Sequence, residues 1–276
     1  MILFFQAIFR SVKAYKKFNQ YGFSHIAIFA VIIVIAFVGF AGWRVLSKPA
    51  DRSSKQSSGA VSVNNGKTPA VEPDIILQNL GLASFDSVDI TKNATREYSD
   101  KGLKGFYVFG DKLSGGRTNP NFEYASLKSN TKVISAIDGI VAFIKEQSDS
   151  KDSEVFIQPK EGSAWTVGYD HISNLVVKKG AAIKAGDVIG EPAVQNNGLL
   201  RFEIQINKDE NNTTIHYCPT TLLAANLKSK WVNELIAMQN NWNSTTGLSL
   251  YNISSQDPIG CLKKTMTPSE AEGQGS

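Results

Sequence analysis

The chain has 276 residues and a formal net charge of +4, from 29 basic and 25 acidic residues. Eight of those basic residues fall within the first 55 positions, where Asp51 is the only acid. The positive charge therefore belongs to the N-terminus, and the slightly acidic remainder gives no support to nucleic-acid binding. The length allows one large domain or two small ones.

An uncharged stretch of 18 residues runs from Ile26 to Trp43. As a helix it would span about 27 Å, close to the roughly 30 Å hydrocarbon core of a bilayer. The rival interpretation is a cleaved signal peptide, but 25 residues precede Ile26 and the small-residue cleavage site is poor. A buried helix of a soluble protein would show a helical period, which is not visible here. The sequence thus predicts a single-pass transmembrane helix.

The flanks of this helix set its orientation. The N-terminal flank is basic without an acid, whereas the following flank contains Asp51, so the positive-inside rule weakly favours a cytoplasmic N-terminus. Residues 48–73 are rich in Ser, Gly, Asn, Lys and Pro, which is typical of a disordered tether. The chain is therefore expected in the plasma membrane, with its C-terminal domain outside the cytoplasm.

From Asp74 onward the composition becomes globular, and short β-like segments alternate with turns. This pattern predicts an all-β sandwich or barrel. Ile75–Leu82 is expected as a short helix or packed arm, and a helix over Leu222–Gln239 should dock through a stripe that includes Trp231 and Leu235. The predicted strands are Lys104–Gly110, Asn121–Leu127, Lys132–Ile137, Gly139–Glu146, Ser153–Pro159, Ala164–Ile172 and Leu199–Ile206.

The clearest of these strands is the last, because its two faces differ. Phe202, Ile204 and Ile206 share the face with Leu200 that should enter the core. The other face, predicted to line a surface or cleft, carries Leu199, Arg201, Glu203 and Gln205.

Residues 104–223 contain an ordered set of motifs. Asp138-Gly139 forms a turn after a strand, a Tyr169-Asp170-His171-Ile172 strand follows, and glycines then recur at a hairpin spacing through Gly190. The set closes with Leu199-Leu200-Arg201-Phe202-Glu203 and Cys218-Pro219. It resembles the lysostaphin/LytM-like family of zinc endopeptidases. The resemblance implies a mainly β, LytM-like sandwich or barrel-sandwich hybrid with a C-terminal helix.

The family's chemistry needs a zinc ion held by two His and one Asp, with another His assisting proton transfer. The family's paired His positions fall on Leu199 and Arg201, and its other ligand pair falls near Pro120 and Tyr124. An apolar side chain and a fixed cation cannot bind zinc. We therefore expect no metal cofactor and a degenerate, catalytically inactive family member.

His171 matches the family's accessory catalytic His. It is either a proton shuttle or ligand contact, or a residual histidine of the cleft. An unconventional site from His171, His216 and an acid is a further alternative. Arg201 can pair with Glu203, or with Glu123 if that strand lies alongside, and would suit an anionic or carbonyl-bearing ligand. The predicted binding residues are Tyr169, His171, Leu199, Arg201 and Glu203.

Cys218 and Cys261 are the only cysteines, and both follow the predicted span. In an oxidising compartment they are expected to form a disulfide; two buried thiols are the alternative. The predicted boundaries are a basic segment 1–24, a transmembrane helix 25–43, a linker 44–73, a β domain 74–223, a helix and arm 224–262, and a disordered tail 263–276.

Together these features predict a membrane-anchored module of the bacterial cell envelope that binds or regulates. The membrane is contacted through residues 26–43, and the expected partners are peptidoglycan peptides or wall hydrolases. A working zinc endopeptidase with a divergent site is the competing function. A carrier-like adaptor of a secretion system is a third, but it would need a long helical hairpin that the sequence lacks.

Overall fold

The structure, a computed structural model, describes residues 74–91 and 104–273. The predicted basic segment, transmembrane helix and tether lie outside these residues. Across the described ranges, no helix is both long and apolar enough to cross a membrane.

Eleven strands of the described residues form one hydrogen-bonded network in which the ladders are antiparallel. This confirms the prediction of a mainly β domain. The strands are β1 Phe106–Tyr107, β2 Phe122–Leu127, β3 Val133–Ile134, β4 Gly139–Gln147, β5 Asp152–Gln158, β6 Trp165–Ser173, β7 Ala182–Ile183, β8 Val188–Val194, β9 Leu200–Glu210, β10 Thr213–Tyr217 and β11 Thr265–Met266.

Strand β9 is the centre of the sheet. It pairs with β2 on one side and with β6 on the other, and its ends also pair with β8 and β10. Phe202, Ile204 and Ile206 are fully buried, so the predicted inward face is confirmed, although Leu200 at the strand start is half-buried. The opposite face carries Arg201 and Glu203 between β2 and β6.

Two motif glycines are required by close backbone approach. A Cβ atom at Gly139 would lie 2.2 Å from the carbonyl oxygen of Gln158, and one at Gly190 would lie 2.7 Å from that of Ser173. Both distances are shorter than a non-bonded contact allows. These glycines therefore let β4 pack on β5 and let β8 pack on β6.

The core beneath the sheet is aromatic. Tyr124 stacks on Phe202 with ring centroids 5.3 Å apart, and Tyr169 lies on the other side of Phe202 at 6.3 Å. The segment Ile75–Leu82 packs on this core as a non-helical arm, with Leu77 and Leu80 fully buried. Of the two forms expected for this segment, the packed arm is the one observed.

A helix, α1, spans Ala225–Thr246 and buries Trp231, Leu235 and Met238. Its docking stripe is confirmed, but it runs seven residues past the predicted end at Gln239. Gly247 ends it in the left-handed conformation, with φ of 70°.

The C-terminal segment differs from the prediction. The tail over 263–276 was expected to be disordered, but β11 pairs with β10, and a short helix, α2, spans Pro268–Ala271. A capping box between Thr267 and Glu270 begins α2. Cys218 and Cys261 form the predicted disulfide, which joins this segment to the end of β10.

Candidate functional site

Arg201 lies between two carboxylates on neighbouring strands. Glu123 of β2 and Glu203 of β9 are directly opposite each other in the ladder. Arg201 Nε lies 3.1 Å from Glu123 Oε1, and the guanidinium also donates to Glu203 Oε1. Both predicted pairings of Arg201 are thus confirmed. Asn121 donates to the second oxygen of Glu203 and fixes that side chain.

The single positive charge of Arg201 does not neutralise the two carboxylates of Glu123 and Glu203. The side chains of Glu123 and Glu203 are only 12% and 11% exposed. Burial, followed by the charge of Glu203, raises the pKa of Glu123 to about 7, although Arg201 acts in the opposite direction. Near neutral pH, therefore, Glu123 is partly protonated.

His171 sits on a bulge in β6. Ser153 pairs with Ile172 and Val155 pairs with Tyr169, so Asp170 and His171 together oppose the single residue Glu154. His171 has φ of 59°, a left-handed conformation that a non-glycine residue seldom adopts. The bulge redirects the imidazole relative to a regular strand.

The imidazole of His171 lies close to three carboxylates. Nδ1 lies 2.7 Å from Asp152 Oδ2 at the start of β5. Nε2 lies 3.7 Å from both Asp170 Oδ2 and Glu203 Oε1. Because a carboxylate can only accept a hydrogen bond, the contact with Asp152 places a proton on Nδ1. This contact directs Nε2 towards Asp170 and Glu203.

The zinc site implied by the resemblance does not fit these residues. Arg201 carries a fixed charge that is already paired, and Leu199 packs against the core. Tyr124, at the position of the family's Asp, is fully buried and donates its hydroxyl proton to the carbonyl oxygen of Leu80. Arg201, Leu199 and Tyr124 therefore cannot supply the family's metal ligands.

A different group of residues can hold a metal. Asp152, Asp170 and His171 each offer one ligand atom, and these atoms lie within 4.8 Å of one another. We call these three residues the His171 cluster. The expectation of no metal cofactor is therefore not supported. That expectation rested on the positions where the resemblance places ligands, and the unconventional site that was also considered combined His171 with His216 and an unnamed acid.

Two further sequence expectations change in the structure. Tyr169, predicted to bind a ligand, is fully buried, and its hydroxyl accepts a hydrogen bond from the backbone of Ala136 at 2.7 Å. His216 pairs with Asn207, six residues along β9 from Arg201, or about 20 Å at strand spacing. His216 therefore does not join His171 in one site.

Sequence reasoning missed Asp152 and Asp170. The signal for Asp152 was the hairpin of two predicted strands around Gly162, because antiparallel pairing about that turn brings Asp152 near His171. The bulge that completes the contact has no local sequence signature.

Two cavities on this face of the sheet both have Arg201 in their lining. One has a volume of about 790 Å³ and is lined by Asp152, His171 and the loop at 195–197. The other has a volume of about 500 Å³ and is lined by Glu123, Glu203 and the basic residues Lys112 and Arg117. We call the pair the Arg201 groove. It is open to solvent and can accommodate an extended ligand.

The fold and the site define a β domain in which an arginine ion pair lies at a position where the resemblance expects a metal ligand. Residues 123–213 match the family model of Peptidase family M23, so this segment is an M23-family domain. This match confirms the resemblance to the lysostaphin/LytM-like peptidases. No curated protein matches the chain.

Several solved structures are similar to the domain. A point mutant of the catalytic domain of the prophage-encoded M23 protein EnpA from Enterococcus faecalis shares 20% identity over 41% of this chain and 88% of that one, with a TM-score of 0.33. Lysostaphin from Staphylococcus simulans shares 18% identity over 38% and 43%, with a TM-score of 0.33. A zinc-containing peptidase from Vibrio cholerae shares 21% identity over 37% and 32%, with a TM-score of 0.30. The chain thus spans less than half of the latter two.

Proposed function

We propose that this protein is a membrane-anchored component of the bacterial cell envelope whose M23-type domain binds wall peptides without cutting them. The observation that carries the proposal is the ion pair of Arg201 with Glu123 and Glu203. It puts a permanent cation at a position where the family's hydrolytic chemistry requires a metal-binding imidazole.

The groove supports peptide binding. Lys112 and Arg117 are exposed along its 500 Å³ part, and the partly exposed guanidinium of Arg201 lies at its centre. Wall peptides carry carboxylates and backbone carbonyl groups, which are acceptors for such cations. The face of β9 that carries Arg201 can therefore bind a peptide strand while its ion pair stays intact.

Wall binding without cleavage is testable with the full chain purified in mild detergent. We expect it to co-sediment with purified cell walls and to cause no loss of wall turbidity. The double variant Lys112→Ala/Arg117→Ala should co-sediment less, because it removes two exposed cations of the groove. The matched control, Lys178→Ala/Lys228→Ala, removes two exposed cations elsewhere and should bind like the parent protein.

The second candidate function is hydrolysis at a divergent metal site, which the His171 cluster favours. Wall clearing that needs added metal and disappears in His171→Ala would establish that function and refute the binding module. If neither clearing nor co-sedimentation occurs, wall peptides are the wrong ligand class.

Membrane anchoring is tested separately. Protease added to intact spheroplasts should digest the C-terminal domain, because the N-terminal flank of the predicted helix favours a cytoplasmic N-terminus. A cytoplasmic protein in the same cells is the control and should survive. Protection of the domain until the cells are lysed would reverse the proposed orientation.

A further inference from the structure

Two asparagines beside β2 use the donor ends of their side-chain amides within the protein. Asn119 Nδ2 donates to the backbone carbonyl oxygens of Val108 and Asn121, at 3.2 and 3.0 Å. Asn121 Nδ2 donates to the carboxylate of Glu203. Because carbonyl and carboxylate oxygens accept hydrogen bonds, turning either amide round would set oxygen against oxygen. The orientation of both amides is therefore fixed, and the oxygen is the end that remains for another partner.

Those two amide oxygens are buried acceptors without a donor. Within the described residues, neither Asn119 Oδ1 nor Asn121 Oδ1 has a hydrogen-bond partner. The two residues are only 1% and 7% exposed. A buried acceptor costs free energy until a donor reaches it. Both asparagines line the cavity of about 500 Å³ in the Arg201 groove, so a ligand in that cavity is placed to supply donors.

The same part of the cavity carries an excess of negative charge. Glu123 and Glu203 line it beside the asparagines, and Arg201 supplies one positive charge to the two carboxylates. The pKa of Glu123 is raised to about 7, first by burial and then by the charge of Glu203, despite the opposing effect of Arg201. A positively charged group of a ligand would therefore be stabilised next to Glu123.

A primary ammonium group matches this combination of acceptors and charge. It has three N–H donors, no acceptor and a full positive charge. Asn119 Oδ1, Asn121 Oδ1 and the carboxylate of Glu123 offer three acceptors; we call these three residues the acceptor set. A hydroxyl group brings one donor and no charge, and a guanidinium holds its donors in a rigid planar fork. Neither matches the acceptor set as well.

The basic residues of the cavity suit the remainder of such a ligand. Lys104 is paired with Asp111 at 2.7 Å, so its charge is compensated within the protein. Lys112 and Arg117 are exposed and line the same cavity. They can contact a carboxylate or carbonyl oxygen of a ligand whose ammonium group lies at the buried acceptor set. The cavity thus favours a ligand that carries both kinds of group.

We infer that Asn119, Asn121 and Glu123 bind a primary ammonium group of the peptide ligand, at its N-terminus or on an amino side chain. The inference rests on the proposed function and names the chemical group that the groove recognises. It assigns Asn119 and Asn121 a role in binding, and it leaves Arg201 in its ion pair with Glu203.

The first test is isothermal titration of the full chain in mild detergent with three short peptides. Tri-alanine has a free N-terminal ammonium group, N-acetyl-tri-alanine has none, and N-acetyl-Ala-Lys-Ala carries one on its side chain. At least one ammonium peptide should bind about tenfold or more tightly than N-acetyl-tri-alanine, and the tighter of the two identifies the source of the group. Equal binding of all three, or no measurable binding of either ammonium peptide, would overturn the inference.

Variants locate the ammonium site. Glu123→Gln keeps the side-chain shape but removes its charge, so it should weaken the preferred ammonium peptide about tenfold and leave N-acetyl-tri-alanine unaffected. Asn121→Ala removes one acceptor and should act in the same direction. Asn240→Ala is the matched control, because Asn240 is exposed on α1 outside the cavity. Circular dichroism shows whether each variant is folded, and folded variants of the acceptor set that bind like the parent protein would refute the assignment.

Wall co-sedimentation of the same samples separates this inference from the proposed function. If walls still bind but the peptides show no preference for an ammonium group, the ammonium site is wrong and the wall-binding module stands. If ammonium peptides bind at the acceptor set but walls do not co-sediment, the site is correct and wall peptides are not its ligand.

Discussion

Replacing Arg201 with methionine is expected to lower the free energy of unfolding by about 2–4 kcal/mol at pH 8. The substitution keeps a long stem but removes the cation between Glu123 and Glu203, whose side chains are almost buried. Two carboxylates that face each other across a ladder then repel without compensation. The expected loss of stability is at the low end of the range for breaking a buried ion pair, because the side chain of Arg201 is 30% exposed.

The loss should depend on pH. In the native protein the pKa of Glu123 is raised from 4.5 to about 7. The native state therefore binds more protons than the unfolded chain between these values, and stability falls as the pH rises through that window. Without Arg201 the pKa of Glu123 rises further, so the variant should lose less stability at pH 5, where Glu203 alone lacks its cation, than at pH 8, where both carboxylates are charged.

Urea denaturation at pH 5 and pH 8, followed by tryptophan fluorescence, measures both effects. Lys112→Met is the control, because Lys112 is an exposed cation of the same groove and is not among the charges that act on Glu123. Adding Glu123→Gln to Arg201→Met should restore much of the stability at pH 8 by removing one of the two charges. An equal loss at both pH values would mean that Glu123 does not carry the effect.

The sequence was most informative where a pattern repeats. Alternation along β9 separated the core side chains Phe202, Ile204 and Ile206 from the groove residues Arg201 and Glu203, since successive residues of a strand point to opposite faces. Spaced glycines marked the places where two backbones approach closely. The family resemblance drew on the same two signals.

The His171 cluster was less accessible to sequence reasoning. Asp152 is 19 residues from His171 in the sequence. Their contact depends on the register of a hairpin and on a bulge that no local sequence motif predicts. Tyr169 was predicted to bind a ligand for a related reason. Its position in the motif does not show whether its side chain lies on the buried face of β6 or on the face that lines the groove. The ordered tail did have a signal, the Thr267–Glu270 capping box, but its polar composition suggested disorder.

Removing the disulfide is expected to destabilise the domain by roughly 3–4 kcal/mol, the loop-closure value for a loop of 43 residues. Cys218 and Cys261 are fully buried, and the loop between them contains α1. Cys218 donates its backbone N–H to the carbonyl oxygen of Lys264 at 2.9 Å, beside the start of β11. The bond thus ties the segment that follows α1 to the end of β10, and it restricts the unfolded chain.

Thiol labelling of the unfolded, unreduced protein should find no free thiol, and Cys218→Ala/Cys261→Ala should unfold at a lower urea concentration than the parent protein. Reduction provides the control, because dithiothreitol should destabilise the parent protein by a similar amount and leave the double variant unchanged. Reduction and the double substitution remove the same cross-link from the unfolded ensemble, so their effects on the free energy of unfolding should not add. Two labelled cysteines per chain before reduction would show that the bond does not form, and C-terminal docking would then depend on packing and on backbone hydrogen bonds such as those of the β10–β11 pairing.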